Sequence, residues 1–537
     1  MNLRMQLAVA AAAMCVVSPT AFADTESDLK AKVDALQKQL DAVKKQLDEV
    51  SADMKKQQTE VKEVQDKTGP NGPFLQRKPG DSLTFIVPGG GDVSLYGNID
   101  LSFDYTTKGL QGSYNNGGAC SPASPCVPSG KLGWEPDIST NLSYLGIRGN
   151  HPIADYNFIW QLEAGMDVSS TPGNRTSTSN TSDAVNGALF SRDSWIGLAG
   201  KDWGAVKIGK AQTPYVTSTL RLNPFSGMLG DYRVIMGNTG GDNRVEFGLR
   251  AAHAIWYESP SWSGVAFNFM YAPGQNRDDS SLIVPEAEPD CSGGNIPGSG
   301  ALPPQCTDGS FGDLYSASLT YVGGPLYLAT AYERHKNVNR QSDTIGLPTT
   351  PVADTSGDPN DVGDESAFKI GGQYTFPTKT AVNVLWERTW RSIPGYLSYQ
   401  DERSRPNAYW LALTQVLTEK DNISFGWAHA GATPGDPGQH NTNLGANPDN
   451  EANMYTAVWR HSLDRSTQFY LNWAMTANHS AAHYDLGAGG HGVVQDCHDS
   501  TPLAAYDPTI NNVTNTGPHC YAGGRLEAVS VGMQYRF

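Results

Sequence analysis

Two short segments and the long stretch that follows them decide the fold of this chain. Residues 189–198 read LFSRDSWIGL and residues 205–210 read AVKIGK, with a Gly-bounded turn at residues 200–204 between them. Both segments have strand character, so the turn predicts an antiparallel pair. Residues 213–248 then lack a regular pattern and are rich in Gly and Asn. Because long irregular loops are usually functional or disordered, we expect this one to fold into a barrel and narrow its pore. On this stretch alone, an exposed hairpin of a soluble β protein is the alternative.

Composition narrows the class of protein. The chain has 537 residues and a formal net charge of −16, and its mean hydropathy is −0.42. Outside the N-terminus there is no apolar run of about 18 residues, which excludes a helical membrane protein. Low hydropathy is compatible with a barrel, whose strands alternate lipid-facing and lumen-facing residues. The acidic balance argues against nucleic acid as a partner.

The N-terminus carries an export signal and a helical arm. Residues 1–23 are predicted to be a signal peptide, with Arg4, an apolar core at 7–17 and a small-residue cleavage site at 21–23. Residues 24–67 are predicted to form a coiled coil, because apolar residues recur at alternating spacings of three and four. This pattern does not favour a dimer. Residues 68–91 are predicted to be a linker. The predicted core positions are Leu29, Val33, Leu36, Leu40, Val43, Leu47, Val50, Met54, Val61 and Val64.

From Asp92 onward, segments of period-two alternation recur and predict strands. Seven predicted connections are short, near 151–154, 200–203, 260–263, 323–324, 377–378, 418–420 and 462–465, and they alternate with long polar ones. Short turns on one side and long loops on the other are typical of outer-membrane barrels. The fold class is therefore predicted as all-β: a transmembrane antiparallel barrel of about 16 strands over residues 92–537, preceded by a periplasmic α-helical coiled coil. The strands are predicted at 92–107, 139–150, 155–169, 187–199, 204–212, 249–259, 264–273, 313–322, 325–335, 365–376, 379–391, 406–417, 421–431, 452–461, 466–478 and 523–537.

Several motifs resemble those of the Gram-negative general porins. They are SYLGIRG at 143–149, FIWQLEAG at 158–165 and the two strands quoted first. The aromatic alternation that ends at Phe537 is similar to the signal that the barrel-assembly machinery reads. The coiled-coil arm resembles that of the DcaP-type trimeric channels, which pass organic acids. The resemblance implies a homotrimer among outer-membrane lipids that admits small hydrophilic solutes by passive diffusion, without a cofactor.

The resemblance also implies a pore constriction at loop 213–248, where basic wall residues face acidic loop residues. Arg148 matches the wall arginine of the second strand, Arg192 that of the fourth strand, and Lys210 the basic residue before the loop. Charges that line a pore bias permeation, so we expect a modest preference for anions or organic acids; pairing of these arginines with loop acids would instead leave a weakly selective pore. The candidate constriction residues are Arg148, Arg192, Lys207, Lys210, Arg221, Asp231, Arg233, Asp242, Arg244 and Glu246.

Six cysteines remain after signal cleavage, two in each of three predicted loops. Since the compartment is oxidising, we predict disulfides Cys120–Cys126, Cys291–Cys306 and Cys497–Cys520. Zinc binding by the last pair with neighbouring histidines is a weaker alternative, because the spacing is unlike a zinc finger. The His479 and His483 pair and the Asp-rich loop at 354–364 are predicted to be solvated, so no metal site is predicted.

No catalytic elbow, phosphate loop or dinucleotide fingerprint is present, so the chain is not predicted to be an enzyme. The alternative to a porin is an outer-membrane adhesin or cell-wall-tethering barrel protein with a plugged pore. A hydrolase with its nucleophile on the barrel wall is a lesser one. A gated transporter would need a plug domain and about 22 strands.

Overall fold

The structure is a computed structural model, and the chain divides into two compact units, Met1–Ser82 and Leu83–Phe537. In the first unit, Gln37, Asp41, Lys44 and Lys45 are helical and exposed, and Gln76–Arg77 form a short strand. The predicted coiled-coil core positions lie outside the described residues. The structure describes residues 37, 41, 44–45, 76–77, 83–87, 89–107, 134–166, 168–169, 192–237, 247–248, 250–273, 313–338, 363–392, 402–432, 451–479, 484, 486 and 525–537.

The second unit is a closed antiparallel barrel of sixteen strands. Each strand pairs with its neighbour in sequence, and the last returns to the first, with Met533 opposite Leu101. A short strand, Thr84–Ile86, pairs with the beginning of the first barrel strand. The barrel strands are β1 Asp92–Thr106, β2 in two segments (Glu135–Thr140 and Tyr144–Ile153), β3 Tyr156–Gly165, β4 Ser194–Gly200, β5 Gly204–Gln212, β6 Arg250–Glu258, β7 Val265–Pro273, β8 Asp313–Gly323, β9 Leu326–Val338, β10 Gly363–Thr375, β11 Thr380–Ser392, β12 Glu402–Val416, β13 Asp421–Ala430, β14 Ala452–Ser462, β15 Thr467–Asn478 and β16 Arg525–Arg536.

Alternation along the strands separates a lipid face from a lumen face. On β1, Phe103 is 54% exposed, whereas its neighbour Asp104 is fully buried. On β16, Val531 is 55% exposed and Ser530 is buried. Apolar side chains therefore point outward and polar ones inward, as a barrel in a membrane requires.

The predicted asymmetry of the connections is confirmed. The seven short turns occupy 154–155, 201–203, 259–264, 324–325, 376–379, 417–420 and 463–466, all at one end of the barrel. Among the described residues, no helix is long and apolar enough to cross a bilayer.

A glycine lies at the seam where the barrel closes. The backbone N–H of Gly97 donates to the carbonyl of Phe537 at 3.0 Å, and that of Phe537 donates back at 3.1 Å. A Cβ at Gly97 would lie 2.6 Å from the Phe537 ring. The ring of the C-terminal Phe537 thus lies against Gly97 at the seam between β1 and β16.

Most strands lie within two residues of their predicted bounds, and β4 and β2 are among those that differ by more. Within the described residues β4 begins at Ser194, the N–H of Arg192 before it donates to the carbonyl of Glu163 on β3, and 187–191, which were predicted to open the strand, lie outside the described residues. β2 is interrupted at 141–143, where the Asn141 amide turns inward and donates to Asp100, Ser102 and Tyr470. At this break in β2, polar contacts of the lumen outweigh local strand propensity.

Candidate pore constriction

The irregular segment after β5 folds into the barrel. β5 ends with a register shift between Gly209 and Ala211, and Gly209 has φ +143°, a region that favours glycine. The chain then enters a one-turn helix, α1 (Pro214–Thr217). Thr213 caps this helix through its side chain, which accepts from the Val216 N–H, and Pro214 occupies the first turn, where its missing N–H is harmless. Residues 213–237 and 247–248 are described, and we call them the constriction loop.

A buried carboxylate of the wall holds both ends of this loop. The Tyr215 hydroxyl donates to Glu387 Oε2 at 2.7 Å, and the Gly237 N–H donates to Glu387 Oε1 at 2.5 Å. Tyr215 is also fixed by its N–H, which donates to Ser316 Oγ at 2.9 Å. Burial and the Glu387 carboxylate raise the pKa of the Tyr215 hydroxyl, which therefore stays a donor.

The middle of the loop is seated on an indole. Trp410, on β12, is 1% exposed and its Nε1 donates to the Leu222 carbonyl at 2.9 Å. The rings of Phe225 and Tyr232 lie 5.8 and 4.9 Å from it. This apolar cluster, which includes Leu222 and Ile235, is the core of the barrel interior.

The tip of the loop reaches the far wall. Thr456 and Asn472, on β14 and β15, donate to the carbonyls of Gly230 and Leu229, each at 2.8 Å. A Cβ at Gly227 would lie 2.6 Å from Cβ of Leu142, so the tip also touches the break in β2. Within its described residues, the loop therefore contacts the wall from Ser316 on β8 to Asn472 on β15, and its tip also meets the break in β2.

A second inward segment supports the tip. Tyr484 and Leu486 were predicted to lie in a long external loop, but both are buried. The Leu486 carbonyl accepts from the Gly230 N–H at 2.8 Å, and Leu486 packs with Leu229. No periodicity in residues 479–522 signals this packing, which depends on distant partners.

Asp231 organises the loop from within. It is fully buried and accepts from the Arg233 guanidinium at 2.7 Å, from the Asn223 amide at 2.7 Å and from the Gly227 N–H at 3.0 Å. Burial works to raise the pKa of Asp231, but the charge and hydrogen bonds of Arg233 hold it below its usual range. Asp231 and Arg233 therefore neutralise each other.

The predicted wall arginines meet at two tyrosines. Arg192 is buried, and its Nε donates to Glu163 Oε1 at 2.5 Å. Glu163 also accepts from the Tyr96 hydroxyl at 3.0 Å. Arg148 is exposed in the lumen, with its guanidinium 4.9 Å from the centre of the Tyr96 ring.

A third arginine joins this group. Arg536 on β16 is the register partner of Asn98 on β1, and Asn98 is the partner of Tyr144 on β2, whose ring centre lies 5.0 Å from the Arg192 guanidinium. Arg536 is exposed and shares the inward parity of Ser530 and Gln534. It was not predicted as a site residue, although its parity, opposite to that of the lipid-facing Val531, signals a lumen position. We call Arg148, Arg192 and Arg536 the arginine cluster.

The other predicted constriction residues are dispersed. Lys207 Nζ is 2.7 Å from Glu258 Oε2, and Lys210 lies on β5 opposite Ser194. Arg221 is exposed; its Nε donates to Gln373 Oε1 at 3.1 Å, and its guanidinium stacks 4.9 Å from the Tyr327 ring centre. Asp242, Arg244 and Glu246 lie outside the described residues, as do all six cysteines of the predicted disulfides.

Ionisable groups that the sequence analysis missed lie beneath the loop. His335 is between Glu333, at 3.0 Å, and Glu365, at 3.7 Å. Lys369 is buried, donates to Thr219 Oγ1 at 2.8 Å and lies 3.8 Å from the Tyr215 ring centre. These groups connect loop and wall rather than line the channel. In the described part of the chain, no group of three or more His, Cys, Asp or Glu is placed to hold a metal.

Comparisons with known proteins agree with this architecture. The family model described as Gram-negative porin matches residues 79–481. An outer membrane porin protein of Bordetella pertussis is 25% identical over 240 residues, 44% of this chain and 49% of that protein. The match thus spans about half the length of this curated relative.

Two solved channels align with this chain over most of its length. The anion-selective porin from Comamonas acidovorans aligns with a TM-score of 0.52 and 18% identity, over 83% of this chain and 100% of that one. The DcaP channel of Acinetobacter baumannii aligns with a TM-score of 0.44 and 9% identity, over 84% and 99% of the two chains.

Proposed function

Because the chain belongs to the Gram-negative porin family, we propose that it forms a water-filled outer-membrane channel for passive diffusion of small hydrophilic solutes, with a modest preference for anions and organic acids. The porin channel and the outer-membrane location follow from the family; the solute range and the preference are the proposal. The observation that carries it is the unequal exposure of opposite charges at the constriction.

Three described acids near the constriction are withdrawn from the channel. Glu163, Asp231 and Glu387 are 7%, 0% and 2% exposed, and each is held by hydrogen bonds. Among the described residues, the loop acid Asp231 pairs with Arg233 of the loop itself rather than with a wall arginine. Of the two wall arginines, Arg192 is paired with Glu163, whereas Arg148 contacts the neutral ring of Tyr96.

Exposed bases remain in the lumen. Arg148 and Arg221 contact neutral groups, the ring of Tyr96 and the amide of Gln373, and Arg536 is exposed at the end of β16. All three lie toward the short-turn end of the barrel, so their fields add. A low-dielectric wall focuses that field, and basic residues in a pore favour anions. The porin from Comamonas acidovorans is itself anion-selective, which supports the sign.

The assembly is proposed on the predicted coiled coil and on the family resemblance. We infer a homotrimer in outer-membrane lipids, delivered by the barrel-assembly machinery, with the coiled coil in the periplasm and three local disulfides in the long loops. The chain is not proposed to be an enzyme. A plugged adhesin or cell-wall tether is the rival function, and it differs in conducting no ions.

Reversal potential tests the proposal. In a planar bilayer under a KCl gradient, the reversal potential of the wild-type channel is expected to lie toward the chloride equilibrium potential. This displacement should decrease at high salt, because the charges are screened. The double variant Arg148→Gln/Arg536→Gln should shift the reversal potential toward the potassium equilibrium potential. Lys201→Gln, an exposed residue of a short turn, is the matched control and should not shift it. A wild-type preference for K⁺ contradicts the anion assignment, and absence of conductance favours the tether.

A further inference from the structure

A recess opens from the channel beside the constriction loop. It has a volume of about 190 Å³ and lies between the inner faces of β3–β7 and helix α1. Two indoles, Trp195 and Trp256, form its apolar part, with ring centres 6.1 Å apart and edge to face. The amide side chains of Gln161, Gln212 and Asn268 also line it.

The charges around this recess are satisfied within the protein. Lys207 lies 4.2 Å from the Trp195 ring centre and pairs with Glu258, which also accepts from Trp256 Nε1 at 2.9 Å. Asp193 pairs with Arg250 at 2.8 Å. The recess therefore presents balanced charge, and a charged head group has no unbalanced partner inside it.

What the recess offers a solute is hydrogen bonding by amides. Within the described residues, no hydrogen bond reaches the side-chain amides of Gln212 and Asn268. Each amide carries both donors and an acceptor, which matches the dual character of a hydroxyl group. The indoles provide apolar surface for carbon–hydrogen faces. The volume is below the roughly 300–1,000 Å³ of drug-sized sites, so the matching solute is small and carries several hydroxyls.

The recess adjoins the arginine cluster. Arg148 on β2 is the register partner of Gln161 on β3, and Gln161 is the partner of Trp195 on β4. Directly opposite residues have Cβ atoms about 5 Å apart. The exposed guanidinium of Arg148 and the recess therefore lie side by side, at the same register on adjacent strands. If the carboxylate of a small hydroxylated solute bound Arg148, the rest of its chain would lie over Gln161 and Trp195.

We propose that the recess and Arg148 form a subsite for small hydroxylated carboxylates of the sugar-acid type. Arg148 binds the carboxylate, the amides of Gln161, Gln212 and Asn268 bind hydroxyls, and Trp195 supports the carbon chain. The subsite rests on the proposed channel function and gives it a solute class. Occupancy delays the solute beside the constriction and so obstructs the chloride current.

Blockade of chloride current tests the subsite. Gluconate is added to wild-type channels in KCl and compared with butyrate, which has the carboxylate but no hydroxyl groups, and with sorbitol, which has hydroxyls but no charge. Gluconate is expected to reduce the current at lower concentration than either. Loss of two hydrogen bonds or of the indole surface should weaken gluconate blockade about fivefold in Asn268→Leu and Trp195→Leu. Butyrate blockade should change little.

Asn157→Leu is the matched control, since Asn157 is an exposed inward residue of β3 outside the recess. It should retain the gluconate blockade. Equal blockade by gluconate and butyrate in the wild-type channel, or full gluconate blockade in both recess variants, would overturn the subsite. The KCl reversal potential without gluconate reports separately on the anion preference. A potassium-side potential overturns that preference, and the gluconate comparison still decides the subsite.

Discussion

Single carboxylates determine what the arginines of this channel do. Glu163 accepts from Arg192 and from the Tyr96 hydroxyl, so Arg192 is neutralised while Arg148 stacks on the same tyrosine with its charge exposed. The sequence predicted both arginines from the porin resemblance. It could not assign their different roles, because burial of Arg192 depends on a partner on another strand. The lumen position of Arg536 could have been predicted from the alternation of β16 alone.

Asp231 offers a test at this scale. Asp231→Asn removes the charge and leaves the Arg233 guanidinium without its acceptor, which should weaken the loop by about 2 kcal/mol. We expect larger open-channel current noise at neutral pH. Asp202→Asn, an exposed residue of a short turn, should leave the noise unchanged. Noise equal to the wild type in Asp231→Asn would show that the loop is held without this carboxylate.

The same residue predicts a pH dependence. Because the pKa of Asp231 is held below its usual range, its stabilisation is fully present above the ordinary carboxyl pKa of about 3.9. It is lost as the pH falls through the lowered folded-state pKa. The wild-type noise should therefore approach that of Asp231→Asn only below about pH 4. If the wild-type noise reached that of Asp231→Asn at a higher pH, the lowered pKa of Asp231 would be contradicted.

At the scale of elements, the strands could be predicted and the seat of the loop could not. Alternation is a local property of the sequence. For β5 the predicted bounds, Gly204–Gln212, are those observed. The loop was expected to enter the barrel because of its length and position. Its seat on Trp410 and its contact with Leu486 join residues far apart in sequence. No periodicity encodes such contacts.

Replacement of Trp410 tests its support of the loop. Trp410→Ala should leave a cavity between loop and wall and cost about 3–5 kcal/mol, which loosens the loop while strand pairing persists. Single-channel conductance should rise, with more current noise. Trp459→Ala is the matched control, because Trp459 lies on the lipid face at 41% exposure. Wild-type conductance in Trp410→Ala would mean that the loop does not set the width of the channel.

For the whole molecule, a closed barrel was predictable because the lipid bilayer requires every strand to be paired, and the even number of strands followed from the alternation of short and long connections in the sequence. A membrane barrel must pair every strand and leave no edge, and β16 pairing with β1 satisfies this. The assembly of barrels is a different matter, since nothing in one chain's strand pattern encodes its partners. For that, the heptads of the N-terminal arm are the available signal.

Removal of the arm tests the proposed assembly. Deletion of residues 28–66 should leave trimers, because the barrels are expected to associate through their own walls, but these trimers should dissociate at a lower temperature in detergent. The coiled coil would otherwise hold three chains at high effective concentration. A core change, Leu40→Lys/Leu47→Lys, should reproduce the deletion, and Lys44→Ala, at an exposed helical position, should not. Mass in detergent and heat-dependent gel migration measure both effects. A monomeric or dimeric mass for the intact chain would contradict the trimer itself, whereas unchanged heat resistance in the deletion would show that the arm does not hold it together.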